Sequence, residues 1–298
     1  MDIARHVRDS GGFATTRELR RAGASEWMLT HAVRAGHVRR VRNGWYSTVD
    51  PGDARYIAVR VGGRLTGVSA FRQWGAWILP RTLPIHVAVP YNAARLRDVA
   101  LVRLHYAQRA TSVSRTEVSL HDALVRLLLD EPAEVVVPCI DWLLHTGRAD
   151  LIDVHRAAAD VPADRRAFVE LADRASQSVL ESVARVRLVQ KGFHVLTQQR
   201  TGEVGSVDLL VEGSITLELD GRGYHEDSFE GDRRRDLVTT IEGKHVIRVS
   251  ERMLREVWPG IVAAIEAGLR ARHLGNSGSP TPSPPQRRQP HRAASRTS

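Results

Sequence analysis

Val207-Asp208-Leu209-Leu210-Val211-Glu212-Gly213-Ser214-Ile215-Thr216-Leu217-Glu218-Leu219-Asp220-Gly221 decides how the last third of this 298-residue chain is read. Two apolar runs, 207–211 and 215–219, flank Glu212-Gly213-Ser214, which predicts a β-hairpin with a three-residue, glycine-containing turn. Strand side chains alternate between faces. Val207, Leu209, Val211, Ile215, Leu217 and Leu219 therefore share one face, and Asp208, Glu218 and Asp220 share the other. A hairpin symmetric about Gly213 sets Asp208 directly across from Glu218. Like charges so placed weaken a sheet unless something positive lies between them. A divalent metal ion, Mg²⁺ or Mn²⁺, is the simplest candidate.

Outward from the hairpin, residues 176 to about 273 read as one α/β layer with a mixed sheet. The order is helix 178–191, strand 193–198, the acidic hairpin, helix about 230–242, strand 245–250 and helix about 256–272. Residues 274–298, rich in Pro, Ser and Gly and carrying Arg287, Arg288, Arg292 and Arg296, have no composition for a core and predict a disordered basic tail. Its arginines offer nonspecific phosphate contacts.

Residues 51–173 form a mixed middle region. Residues 56–61 and 68–77 predict helices, and 84–90 and 101–106 predict strands. From 119 the pattern turns helical, with Leu120, Leu124, Leu127 and Leu128 at helical spacing. Trp74 and Trp77 are expected to pack its core, as is Cys139, which sits in an apolar run.

Residues 1–50 predict three short helices followed by a hairpin. Thr15 or Thr16 caps the second helix, Ser25 caps the third, and Asn43-Gly44 supplies the turn. Trp27, Leu29, Ala32 and Val33 are expected to be the apolar positions of the third helix. This is the plan of a winged helix-turn-helix, whose third helix enters the major groove while the wing follows the backbone. Nine arginines stand against five acids in this stretch. Ser25 and Thr30 on the third helix, with Arg34, His37, Arg39, Arg40 and Arg42 around the wing, are the candidate DNA-binding residues. The wing arginines would mostly neutralise phosphate.

The whole-chain numbers agree with a nucleic-acid partner. The formal net charge is +9, and only Lys191 and Lys244 among the cations are lysine. Such an excess of base suggests a polyanionic partner, with an arginine-favouring composition bias as the bland alternative. No apolar run approaches the ~18 residues of a membrane span. The N-terminus shows no apolar segment of a signal peptide. A single cysteine excludes an intramolecular disulfide, and a cytoplasmic location is the expectation.

Several short motifs carry a family resemblance. Ser178-Val-Leu-Glu181, Arg187-Leu188, Val207-Asp-Leu-Leu, Leu217-Glu-Leu-Asp-Gly221, His225, Phe229, Asp232-Arg-Arg-Arg-Asp236 and Val246-Ile-Arg-Val249 together resemble the PD-(D/E)XK nuclease fold. More closely, they resemble the domain family related to very-short-patch-repair endonucleases. The resemblance implies an α/β, restriction-endonuclease-like sheet and metal-dependent hydrolysis of a DNA phosphodiester. It also implies site roles. Asp208 and Glu218 would be metal ligands, and Asp220 a further ligand or a turn residue. Glu181 would be a site carboxylate or simply half of a capping box with Ser178. His225 would be a proton donor or a partner of the metal site. Arg233, Arg235 and Asp236 would start the following helix, with the arginines on the scissile phosphate, or would simply form a solvated helix face. Asp220 stands where the general nuclease motif has lysine, and Lys244 is the one alternative amine nearby in sequence.

Phe13-Ala-Thr-Thr-Arg-Glu-Leu with Gly44-Trp-Tyr resembles the N-terminal domain of AbiEi-type antitoxins of type IV toxin–antitoxin systems. That resemblance implies DNA and a cognate toxin as partners. Two functions follow: a metal-dependent endonuclease guided by a winged helix, or a noncatalytic antitoxin-type transcriptional regulator that keeps an inactive nuclease fold.

Overall fold

The computed structural model describes residues 1–79, 84–94, 96, 101–107, 114–201, 205–220 and 245–276. Those residues form a mixed α/β architecture with three open sheets.

The first unit runs α1 (Ile3–Asp9), β1 (Phe13–Thr15), α2 (Thr16–Arg21), α3 (Glu26–Arg34), β2 (Arg39–Arg42) and β3 (Trp45–Ser47). Each helix begins on an oxygen-bearing side chain that accepts an otherwise orphaned N–H. Asp2 accepts from Arg5, Thr15 from Glu18 and Ser25 from Met28. Thr15 and Glu18 complete a reciprocal capping box. Asn43-Gly44 joins β2 to β3, with Gly44 at φ 77°. The strand β1 pairs with β3 and gives the sheet order β1-β3-β2. The sequence showed Phe13–Thr15 only as a lead into the second helix, because three residues are too few to display alternation. Three helices with a three-stranded wing result, over a core that includes Val7, Leu19, Leu29 and Val38.

The middle region runs α4 (Ala54–Val61), β4 (Arg64–Leu65), α5 (Gly67–Gln73), β5 (Ile85–Pro90), β6 (Val102–Ala107), α6 (Leu120–Asp130), α7 (Ala133–His145), α8 (Leu151–Ala158), α9 (Ala163–Arg166) and a 3-10 turn, Val169–Leu171. Its sheet has the order β4-β5-β6, with β5 and β6 parallel. Leu124, Leu127 and Leu128 of α6 and Ile140 and Leu143 of α7 are fully buried against Phe71 and Val87. Trp74 and Trp77 pack on this core, and burial pushes the Cys139 thiol pKa far up. Helix α5 stops at Gln73 rather than reaching 77, because Gly75 at φ 85° breaks the helical path.

The last unit runs α10 (Val179–Gln190), β7 (Val195–Thr201), β8 (Gly205–Val211), β9 (Ile215–Asp220), β10 (His245–Ser250), α11 (Glu251–Glu256) and α12 (Trp258–Asn276). The sheet order is β10-β9-β8-β7, with β10 parallel to β9 and the other pairs antiparallel. Leu209, Val211, Ile215 and Leu217 bury the apolar face of the hairpin against Leu180, Val183 and Leu188 of α10 and Ile261 and Ile265 of α12. The terminal helix expected at about 256–272 is α12, which runs on to Asn276 past the expected start of the tail. A short helix not expected from the sequence, α11, precedes it because Ser250 caps a start directly after β10. The helix expected at 230–242 and the tail from 277 onward lie outside the described residues. No helix among the described residues is long and apolar enough to cross a membrane.

Candidate functional site

The hairpin ladder pairs Leu209 with Leu217, Leu210 with Thr216 and Val211 with Ile215. It is centred on Gly213, at φ 63°, so its register sets Asp208 across from Glu218. The backbone ladder ends before that pair. Asp208 Oδ2 instead accepts the N–H of Leu219 at 2.8 Å. Glu218 Oε2 accepts from Arg248 Nε at 3.2 Å, and Arg248 is the residue beside Glu218 in the parallel β9–β10 ladder. The positive group that makes the carboxylate pair tolerable is therefore a guanidinium. The sequence reading missed it because Arg248 lies thirty positions along the chain, on a strand whose neighbour was unknown.

Glu181 is buried, 5% exposed. Its N–H donates to Ser178 Oγ at 3.2 Å, and its Oε2 accepts from the Gln177 N–H and from Gln198 Nε2, both at 3.0 Å. The carboxylate thus reaches Gln177 rather than closing the capping box on Ser178. Burial pushes the Glu181 pKa up, the bonds from Gln177 and Gln198 pull against it, and the charge of Asp208 adds to the rise. Gln198 Nε2 also lies 3.5 Å from Asp208 Oδ1, and Gln198 Oε1 accepts from Ser206 Oγ at 2.9 Å. Gln198 sits at φ 51° between the pairs Thr197–Leu209 and Gln199–Val207. A left-handed non-glycine residue inside a strand costs about 1 kcal/mol or more. The strain turns the Gln198 amide into a bridge between Glu181 and Asp208. Nothing local in the sequence signals it.

Asp220 ends β9, half-buried, opposite Ser250. His225, Arg235 and Asp236, with Asp232, Arg233 and Lys244, lie outside the described residues. The structure thus brings together Glu181, Gln198, Asp208, Glu218 and Arg248. The donor types suit Mg²⁺ or Mn²⁺, which take carboxylate oxygens. However, one Asp208 oxygen is engaged by a backbone N–H and Glu218 is already ion-paired. An ion binding there would have to compete with Arg248.

In the first unit, helix α3 buries Leu29 and Ala32. That fixes its rotation and leaves Trp27, Thr30, His31 and Arg34 exposed at the i, i+3, i+4, i+7 spacing of one helical stripe. Trp27, expected as a buried apolar position, is 72% exposed. Its ring stacks on His31 at 5.1 Å and an interplanar angle of 9°. Ser25, His37, Arg39 and Arg40 are exposed beside this stripe. Arg40 is held by Asn43 Oδ1 at 2.8 Å. Arg42 differs: it is half-buried and folds back over Gly62, where a Cβ would collide with its guanidinium. It anchors the wing to the end of α4 rather than pointing outward.

Residues 1–48 match a family model described as "Transcriptional regulator, AbiEi antitoxin". The first unit is thus similar in sequence to an antitoxin-type N-terminal domain. No curated protein matches the chain. Among solved structures, the crystal structure of the RV2827C protein from Mycobacterium tuberculosis aligns at 17% identity. The alignment covers 66% of this chain and 82% of that one with a TM-score of 0.33. A likeness at that level carries no argument about this fold.

Proposed function

We propose that the chain is a DNA-binding transcriptional regulator of the antitoxin type. The exposed stripe Trp27–Thr30–His31–Arg34 of α3, set beside Arg39 and Arg40 of the wing, carries this reading. It is the surface that a winged helix presents to a major groove and its flanking phosphates, and the family match to residues 1–48 supports it. A cognate toxin is the protein partner this reading expects. The internal partners of Asp208 and Glu218 favour a last domain that serves as scaffold or interaction surface. The test is selection of preferred duplexes from a random DNA pool, followed by binding measurements on the winner. Trp27→Ala should lose preference for the selected site over random duplex with little change in salt dependence. Equal discrimination by wild type and Trp27→Ala sinks the assignment of α3 as the reading helix.

A second reading rests on the Glu181–Gln198–Asp208 bridge beside Glu218. A buried carboxylate, a strained glutamine and two further acids at one sheet end are a costly arrangement for a mere scaffold. In that reading Asp208 and Glu218 hold Mg²⁺ or Mn²⁺, which would polarise a phosphodiester and activate water. Purified protein would then cut DNA with Mn²⁺, and Asp208→Ala would not. Residual cutting that is equal in both proteins rejects it.

A further inference from the structure

The middle region contains a second cluster of ligand-type side chains, far in sequence from the acidic hairpin. His86 of β5 and His105 of β6 lie on the same face of the parallel pair, since His86 registers with Arg103 and His105 with Ala88. Their rings are 5.0 Å apart. Asp130, the last residue of α6, closes over them. Its Oδ2 is 3.5 Å from His86 Nδ1 and 3.5 Å from His105 Nε2. The three ligand atoms lie within 4.8 Å of one another.

Two observations separate this cluster from ordinary core packing. His86 is 1% exposed, His105 8%, and the Asp130 side chain 7%. Yet His86 Nδ1, His105 Nε2 and Asp130 Oδ2 have no hydrogen-bond partner among the described residues. Three converging polar atoms left unsatisfied in a buried site cost on the order of 1–3 kcal/mol each. The second observation is the orientation around them. Asp130 Oδ1, the other oxygen, faces Arg126 at 3.4 Å and Arg103 at 3.7 Å. His86 Nε2, the other ring nitrogen, faces Glu131 Oε1 at 3.8 Å. At that distance Glu131 stands behind the ring as a nearby carboxylate without a direct hydrogen bond, the side on which metal-bound histidines commonly carry an acidic partner.

We propose that His86 Nδ1, His105 Nε2 and Asp130 Oδ2 form a zinc site that ties α6 to the β5–β6 pair. Zinc takes imidazole and carboxylate ligands at about 2.0–2.2 Å in a tetrahedron, which sets donor separations near ~3.4 Å. The two separations from Asp130 Oδ2, 3.5 Å each, fit that edge, and the two ring nitrogens lie within 4.8 Å of each other. An octahedral ion with the same ligands needs about 3.0 Å. A Cβ at Gly67 would stand 3.5 Å from His86 Nδ1 and 3.0 Å from Arg126 Cγ, so a larger residue there would crowd this side of the ring. With three protein ligands, the fourth position is left for water or a small anion.

The experiment uses the full chain, stripped with a chelator, reloaded with Zn²⁺ and desalted, with zinc per chain read by atomic emission. The Asp208→Ala/Glu218→Ala variant serves as a background that removes the acidic hairpin as a competing site. One zinc per chain is expected in wild type and in that background. Asp130→Asn and His105→Gln should weaken zinc binding by about 100-fold or more, and Glu131→Gln by about 10-fold. Should a variant fail to fold by circular dichroism, Co²⁺ titration of wild type decides. Intense visible absorption of tetrahedral Co²⁺ supports the site, and weak octahedral absorption overturns it. Absence of zinc from wild type also overturns the proposal. So does zinc retained unchanged by folded Asp130→Asn and His105→Gln, or zinc lost from the Asp208→Ala/Glu218→Ala background alone.

Discussion

Arg248 and Glu218 show how one residue changes the reading of its neighbours. The pair is partly exposed, 35% and 22% for the side chains, so its net contribution is modest. Arg248→Ala should cost about 0.5–1 kcal/mol in urea denaturation of the metal-free protein. The same change removes a cation from the mouth of the carboxylate pair. On the second reading, in which Asp208 and Glu218 hold Mn²⁺, its affinity measured by calorimetry should then rise about 3- to 10-fold, with the gain abolished by Glu218→Gln. Unchanged affinity would mean that Asp208 and Glu218 hold no metal, which favours the scaffold reading. The hairpin, its turn and the sharing of one face by Asp208 and Glu218 were legible, because alternation and turn chemistry are local. Gln198 was not, because its left-handed backbone answers to Glu181 on another element. Trp27 was misjudged for a similar reason: it is apolar, but the burial of Leu29 and Ala32 rotates it outward.

At the scale of elements, the packing of α10 on α7 turns on one buried ion pair. Arg185 Nη2 donates to Asp141 Oδ2 at 2.6 Å with side chains 6% and 0% exposed. Asp141 Oδ1 accepts the Asp173 N–H at 2.7 Å, and Arg185 also donates to the Leu171 carbonyl. Burial pushes the Asp141 pKa up, with the Arg185 charge and the Asp173 N–H pulling against it. Breaking such a pair strands a buried charge. Asp141→Ala should destabilise by about 3–5 kcal/mol, while the Asp141→Leu/Arg185→Leu double variant should recover most of that loss. Chemical denaturation of the three proteins checks the pattern, and a double variant worse than the single one refutes it. On the wing, Arg39→Ala/Arg40→Ala should flatten the slope of log affinity against log salt by about 1.8, two phosphate contacts' worth. Arg42→Ala should leave that slope unchanged and lower stability instead, because Arg42 packs on Gly62.

Across the whole molecule, the three units are joined by side chains that lie far apart along the chain. Phe13 and Val41 of the winged unit pack against Tyr56 and Val59 of α4. Arg115 donates to Glu18 Oε1 at 2.9 Å and to the Ser10 carbonyl at 3.3 Å. Arg187 donates to Glu134 and to the Leu254 carbonyl, linking α7, α10 and α11. Burial works against the Glu18 charge, but the bonds from Thr15 and Arg115 win and hold its pKa below the usual 4.5. A carboxylate with a lowered folded pKa adds stability above its unfolded pKa and loses it as pH falls through the folded value. The thermal midpoint of wild type should therefore fall below pH 4.5 more steeply than that of Glu18→Gln. Parallel curves would show that the Glu18 contacts do not hold the winged unit in place.

The sequence by itself determined the helix caps at Thr15, Ser25 and Ser178, the Asn43-Gly44 turn and the alternation that gives the acidic hairpin its two faces. All of these depend on residues two to four positions apart, where chain geometry alone sets who is neighbour to whom. Only the tertiary structure decided that Arg248 answers Glu218, that Gln198 joins Glu181 to Asp208, and that His86, His105 and Asp130 converge. Those contacts span ten to forty-four positions. They exist because packing the apolar faces of strands and helices carries distant polar atoms into the same buried space.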